Sequence, residues 1–152
     1  MYTGLLDRLK GDDQVAAVLA HEIGHCAARH TVKKFQAALG YDLIGGIILS
    51  QIALEDQVKR AAAAGSNALM SLVFSAYSRK DEHEADRLGV KYMYLAGYDL
   101  EGMLETLQIL KQEEKKGLAT PLILRSHPFL DDRIDAVKNE IQSVQAKYGK
   151  DL

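Results

Sequence analysis

His21-Glu22-Ile23-Gly24-His25 stands inside a run from Gln14 to about Leu39 that has few helix breakers, and its reading decides the fold. Asp12 and Asp13 precede the run, as an aspartate N-cap would, and Gly40 closes it. Four residues make about one helical turn, so His21 and His25 project from one face and can hold a single ion through Nε2. Glu22 sits between them around the helix, within reach of a water on that ion, where a general base would stand. Cys26 turns about 100° off the ligand face and reads as a small buried residue rather than a nucleophile or a ligand.

A zinc ion that does chemistry needs a third protein ligand and an open position. The metzincin arrangement requires a glycine at 28 and a histidine at 31, where the chain has Ala28 and Thr31, with His30 one residue out of step. The remaining donor is a carboxylate on a later helix, and Ser78-Arg79-Lys80-Asp81-Glu82-His83-Glu84-Ala85-Asp86 supplies one. Glu82 and Asp86 share a helix face, so Glu82 can bind the ion while Asp86 accepts the Nδ1 proton of a ligand histidine, His21 by preference, and fixes its tautomer. His83 and Glu84 point away from that face. Without the first motif, Glu82 and Asp86 would read as a solvated helix surface.

The rest of the chain is also helical in pattern. A second helix is expected over Asp42 to about Ala64, with Gly45-Gly46 as a weak or closely packed point and Gly65-Ser66-Asn67 as a turn. The stretch from Leu69 runs towards Ala96, with a break near Tyr77-Ser78 as the alternative and Gly97 as the C-terminal cap. Asp99 caps a helix from Leu100 to about Lys116, whose Met103, Leu104, Leu107 and Leu110 form a buried stripe. The last helix begins near Asp131 and buries Ile134, Val137, Ile141, Val144 and Tyr148, while Ala119 to Pro128 holds both prolines and is a loop. The one strand candidate is Tyr2 to Leu6. A lone strand cannot satisfy its edges, which leaves an all-helical domain or a larger domain lacking its front.

Composition bounds these readings. The 152 residues are 47% apolar and 26% charged with two prolines and no tryptophan, a globular profile near the modal length of one domain. Such a chain buries a core without a structural metal, so a metal site would be functional. The net charge of −2, with both signs mixed, creates no field that would gather nucleic acid. One cysteine cannot form an internal disulfide. Leu43 to Leu54 is too short to span a bilayer, and Ala61 to Ser78 owes its neutrality to Ala, Ser and Gly, so both read as a buried hairpin.

Taken in order, the two motifs followed by Ser126-His127-Pro128 and Arg133-Ile134 resemble the gluzincin zinc metalloproteases that include HtpX, BepA and the CAAX prenyl proteases, over Tyr2 to about Val137. The resemblance implies a mainly α, zincin-like metallopeptidase core with an active-site helix and at most a short N-terminal edge strand. It implies one domain over 1–152 that lacks the usual N-terminal portion. One zinc ion would sit on His21, His25 and Glu82, with Glu22 as base and Asp86 behind the ligands. His127 and Arg133 would lie near the scissile carbonyl, where two donors could stabilise an oxyanion; the plainer reading has His127 capping a loop and Arg133 paired with Asp131 or Asp132.

The activity so implied is metalloendopeptidase hydrolysis of polypeptides, misfolded proteins among them, in quality control at the cell envelope or a membrane. No covalent intermediate is needed. The competing reading is a zinc-binding scaffold or chaperone-like protein with little proteolysis, and Glu22, which metal binding alone does not require, argues for the enzyme.

Overall fold

Helices account for all regular structure among the described residues of the computed structural model, which are 3–50, 75–115 and 126–149. The elements are α1 (Thr3–Leu6), α2 (Asp12–Ala27), α3 (His30–Ser50), α4 (Arg79–Ala96), α5 (Glu101–Lys115) and α6 (Leu130–Tyr148). The chain divides into two units, one of Met1–Ala28 with Ala76–Leu152 and one of Arg29–Ser75. The mainly α expectation holds. The strand candidate at 2–6 does not: Thr3–Leu6 is a single helical turn, and it sends Leu5 into the core.

In the first unit α2 packs on α4 and α5, and α6 packs on the same two helices, which closes a ring of four around one core. Met103, Leu104, Leu107 and Leu110 of α5 are all buried, as their spacing requires, and so are Ile134, Val137, Ile141 and Val144 of α6. Tyr148 instead lies exposed at the end of α6, stacked on Tyr94. Fully burying side chains of this size contributes about 1.5–3 kcal/mol each.

Helix ends follow local chemistry, with some departures from expectation. Gly11, not an aspartate, is the N-cap of α2; Asp12 and Asp13 fall in its first turn, where their charge suits the positive end of the helix dipole. Ser78 caps α4 through a reciprocal capping box with Asp81, which fixes the break at Tyr77-Ser78, and Gly97 closes α4 in the left-handed conformation at φ 77°. Asp99 Oδ1 accepts from Glu101 N at 2.9 Å and starts α5.

The expected long helix to Leu39 is interrupted. It ends at Ala27, Arg29 takes φ 56°, and α3 runs from His30 through Gly40 and Asp42 to Ser50. No glycine or proline marks the interruption, and the glycine at 40, costing about 1 kcal/mol in a helix, does not stop α3. In this second unit Lys34 Nζ donates to Ser75 O at 2.5 Å, joining its beginning to its end. The expected turn at Gly65-Ser66-Asn67, the residues flanking it over 51–64 and 68–74, and most of the Ala119–Pro128 loop lie outside the described residues. No helix among the described residues is long and apolar enough to cross a membrane.

Candidate metal centre

Two glycines set how closely α2 and α4 approach. A Cβ at Gly24, inside the H-E-x-x-H motif, would stand 2.6 Å from Ala85 O, and one at Gly89 would stand 3.2 Å from His21 N. Backbone therefore meets backbone at both points, and the carboxylates of α4 are delivered onto the histidines of α2.

Glu82 Oε1 lies 3.3 Å from His25 Nε2 and Glu82 Oε2 3.6 Å from His21 Nε2, while the two Nε2 atoms are 3.0 Å apart. His127 joins them: its Nδ1 is 3.0 Å from Glu82 Oε1 and 3.2 Å from His21 Nε2. His21, His25, Glu82 and His127 are all buried, and one ligand atom from each falls within 4.8 Å of every other. Four donors around a zinc ion at about 2.0–2.1 Å would be separated by about 3.3 Å, close to the spacing found. Three imidazoles and a carboxylate so placed are a donor set that could hold a metal ion, and nitrogen and oxygen donors of this kind suit zinc.

Asp86 and Arg133 stand behind this cluster. His21 Nδ1 donates to Asp86 Oδ1 at 2.7 Å, which leaves the lone pair of Nε2 facing the other donors. Burial lowers the His21 pKa, outweighing the opposite pull of Asp86, so the ring favours the neutral form a ligand needs. Arg133 is 2% exposed, and its Nε and Nη2 donate to the two oxygens of Asp86 at 2.7 and 2.8 Å. Its Nη1 is 2.6 Å from Glu82 Oε2 and 3.4 Å from His127 O. Burial alone would raise both carboxylates, but for Asp86 the bonds from Arg133 and His21 prevail, and for Glu82 those from His127 and His25 with the charge of Arg133. Both stay well below the usual carboxylate range. Arg133 is held above its own ordinary value, since Asp86 and Glu82 more than offset its burial.

The expected sites thus receive different places. His21, His25 and Glu82 converge, Asp86 sits behind His21, and Glu22 stands half-exposed at the rim with Oε1 3.5 Å from His127 Nε2. The Arg133 guanidinium is directed at Asp86 and Glu82. It does not pair with its neighbours: Asp131 pairs with Lys111 and Asp132 with Arg79. Cys26 is exposed rather than buried, on the side of α2 that also exposes Leu19 and Ile23, because the opposite face carries the packing. Beside the cluster, His21, Glu22, His127, Arg133 and Thr106 line a small recess together with core residues such as Val18, Met103 and Leu107. Tyr77, which sequence reasoning passed over, lays its ring on His25 with centroids 4.0 Å apart.

The model of peptidase family M48 matches residues 1–141. The chain belongs to peptidase family M48. Among M48 relatives it is 28% identical to the putative beta-barrel assembly-enhancing protease of Vibrio cholerae over 88% of this chain and 28% of that protein. It is 26% identical to the beta-barrel assembly-enhancing protease of Yersinia pestis over 95% of this chain and 31% of that one. With the mitochondrial metalloendopeptidase OMA1 of Arabidopsis thaliana it shares 36% identity over 65% of this chain and 19% of the relative. The chain thus spans less than a third of the length of these relatives. No solved structure matches it.

Proposed function

We propose that this M48 chain carries the catalytic centre of a zinc metalloendopeptidase that hydrolyses polypeptides through an activated water. The observation that carries the reading is the buried convergence of His21, His25 and Glu82 with a half-exposed carboxylate, Glu22, at its rim. A zinc ion on those three residues would supply Lewis acidity, lowering the pKa of a water and polarising the substrate carbonyl. Glu22 takes the proton of the attacking water and passes it to the leaving amine. His127, within hydrogen-bond reach of the same point, donates to the oxygen on which charge develops. Arg133 and Asp86 hold His21 and Glu82 in place. The resemblance to the HtpX, BepA and CAAX prenyl protease group extends the proposal to quality control at an envelope or membrane, with misfolded protein as substrate.

One observation favours a second reading. His127 Nδ1 stands where a fourth ligand would stand, and a closed set of four is the mark of a structural site, as in a zinc-binding scaffold without turnover. Zinc stoichiometry and cleavage of an unfolded protein, measured on the wild type, Glu22→Gln and His127→Ala, separate the two. The enzyme reading expects about one zinc ion in all three and loss of hydrolysis in Glu22→Gln. Loss of zinc from His127→Ala, with an inactive wild type, establishes the scaffold instead.

A further inference from the structure

We propose that Tyr77 is a positioning residue for this centre, its ring holding the imidazoles of His25 and His127 in the orientations that converge on one point. The inference rests on the zinc reading of the site. His21 is oriented by Asp86. Against His25 lies the ring of Tyr77, with centroids 4.0 Å apart and planes tilted by 32°. The same ring is 5.3 Å from that of His127 at 37°, so one flat surface bounds two of the four donors.

Tyr77 is itself anchored on both sides. Its N–H donates to Ser126 O at 3.0 Å, one residue before His127. Ser78, the next residue, is the N-cap of the helix that carries Glu82. Arg79 continues the clasp, with its guanidinium 4.7 Å over the Phe129 ring and an ion pair to Asp132. Phe129, the residue so held, takes φ 69°, a left-handed conformation unusual for an aromatic residue. Three consecutive residues thus tie the helix of Glu82 to the loop of His127, and Tyr77 is the one whose side chain reaches the donors. An imidazole contributes affinity only when its nitrogen points at the ion, and a packed ring that removes the other orientations lowers the ordering cost of binding.

The test uses the full chain as wild type, Tyr77→Phe and Tyr77→Leu. Chelator competition gives the zinc dissociation constant, and the visible spectrum of the Co²⁺-loaded chain reports ligand geometry, which a purely structural contribution would leave alone. Tyr77→Phe is expected within about twofold of wild type, and Tyr77→Leu about tenfold weaker, with a shifted Co²⁺ band. Identical constants and bands in wild type and Tyr77→Leu overturn the proposal. A Tyr77→Phe chain as weak as Tyr77→Leu assigns the effect to the hydroxyl and overturns it too. If circular dichroism shows Tyr77→Leu unfolded, Tyr77→Met is judged by the same two readouts. A wild-type chain that binds no zinc sinks the function proposed above, a separate result.

Discussion

Asp86 accepts the Nδ1 proton of His21 at 2.7 Å, so the nitrogen that faces the other donors is chosen from behind, by a residue that never touches them. In Asp86→Asn the side-chain volume stays but the strong acceptor is lost. Zinc affinity, read by chelator competition, should fall by about 10–100-fold. An unchanged dissociation constant would mean that the hydrogen bond does not tune the site.

Arg133 neutralises two buried carboxylates at once. Arg133→Met leaves Asp86 and Glu82 charged in the interior without their cation, a change that costs about 3–5 kcal/mol when a buried pair is broken. Urea denaturation of the zinc-free chain should show this loss, and added zinc should restore part of it. If stability is unaltered and only kcat falls, Arg133 serves the reaction rather than the fold.

Gly24 admits no side chain, because the added carbon would stand 2.6 Å from the carbonyl oxygen of Ala85. Gly24→Ala must push α2 from α4 and should cost about 1–3 kcal/mol as an overpacked contact. Since His21 and His25 ride on α2 and Glu82 on α4, zinc affinity should weaken as well. Equal affinity in the folded variant would show that helix separation does not control the donors.

Acid should destabilise the chain in two stages. His21 titrates below its ordinary 6.5 when folded, so as pH falls past that value the unfolded chain takes a proton that the folded one resists, and stability declines. Asp86 and Glu82 are likewise depressed, from 3.8 and 4.5. Their contribution is complete above those values and is lost as pH drops through the lower folded ones. Urea midpoints measured from neutral pH downwards should fall over both ranges, and a flat profile between pH about 7.5 and 5.5 would remove His21 from the account.

Much of the centre was legible because its parts are helix-periodic. His21 with His25, and Glu82 with Asp86, are pairs four residues apart, and a pattern of that kind names its own face. What periodicity could not convey is which long-range neighbour fills a space. Arg133 meets Asp86, 47 residues away in sequence, whereas the nearby Asp131 and Asp132, the plainer partners by spacing, pair with Lys111 and Arg79. Cys26 was misplaced for a similar reason, since its burial depends on which side of α2 receives α4. The interruption at Ala28-Arg29 has no residue type to announce it, and the place of Tyr77 depends on a tertiary contact with His25 that no local pattern encodes.

The donors of the centre come from α2, from α4 and from the loop ahead of α6, and His21 and His127 meet across 106 residues of chain. A cation taken by them is a rivet through the fold as much as a reagent. At a hundredfold excess over its dissociation constant it would add about 2.7 kcal/mol to the folded state, a sizeable share of the margin on which a domain survives. Zinc scarcity would then remove the protein itself, through unfolding and degradation, and not merely idle it.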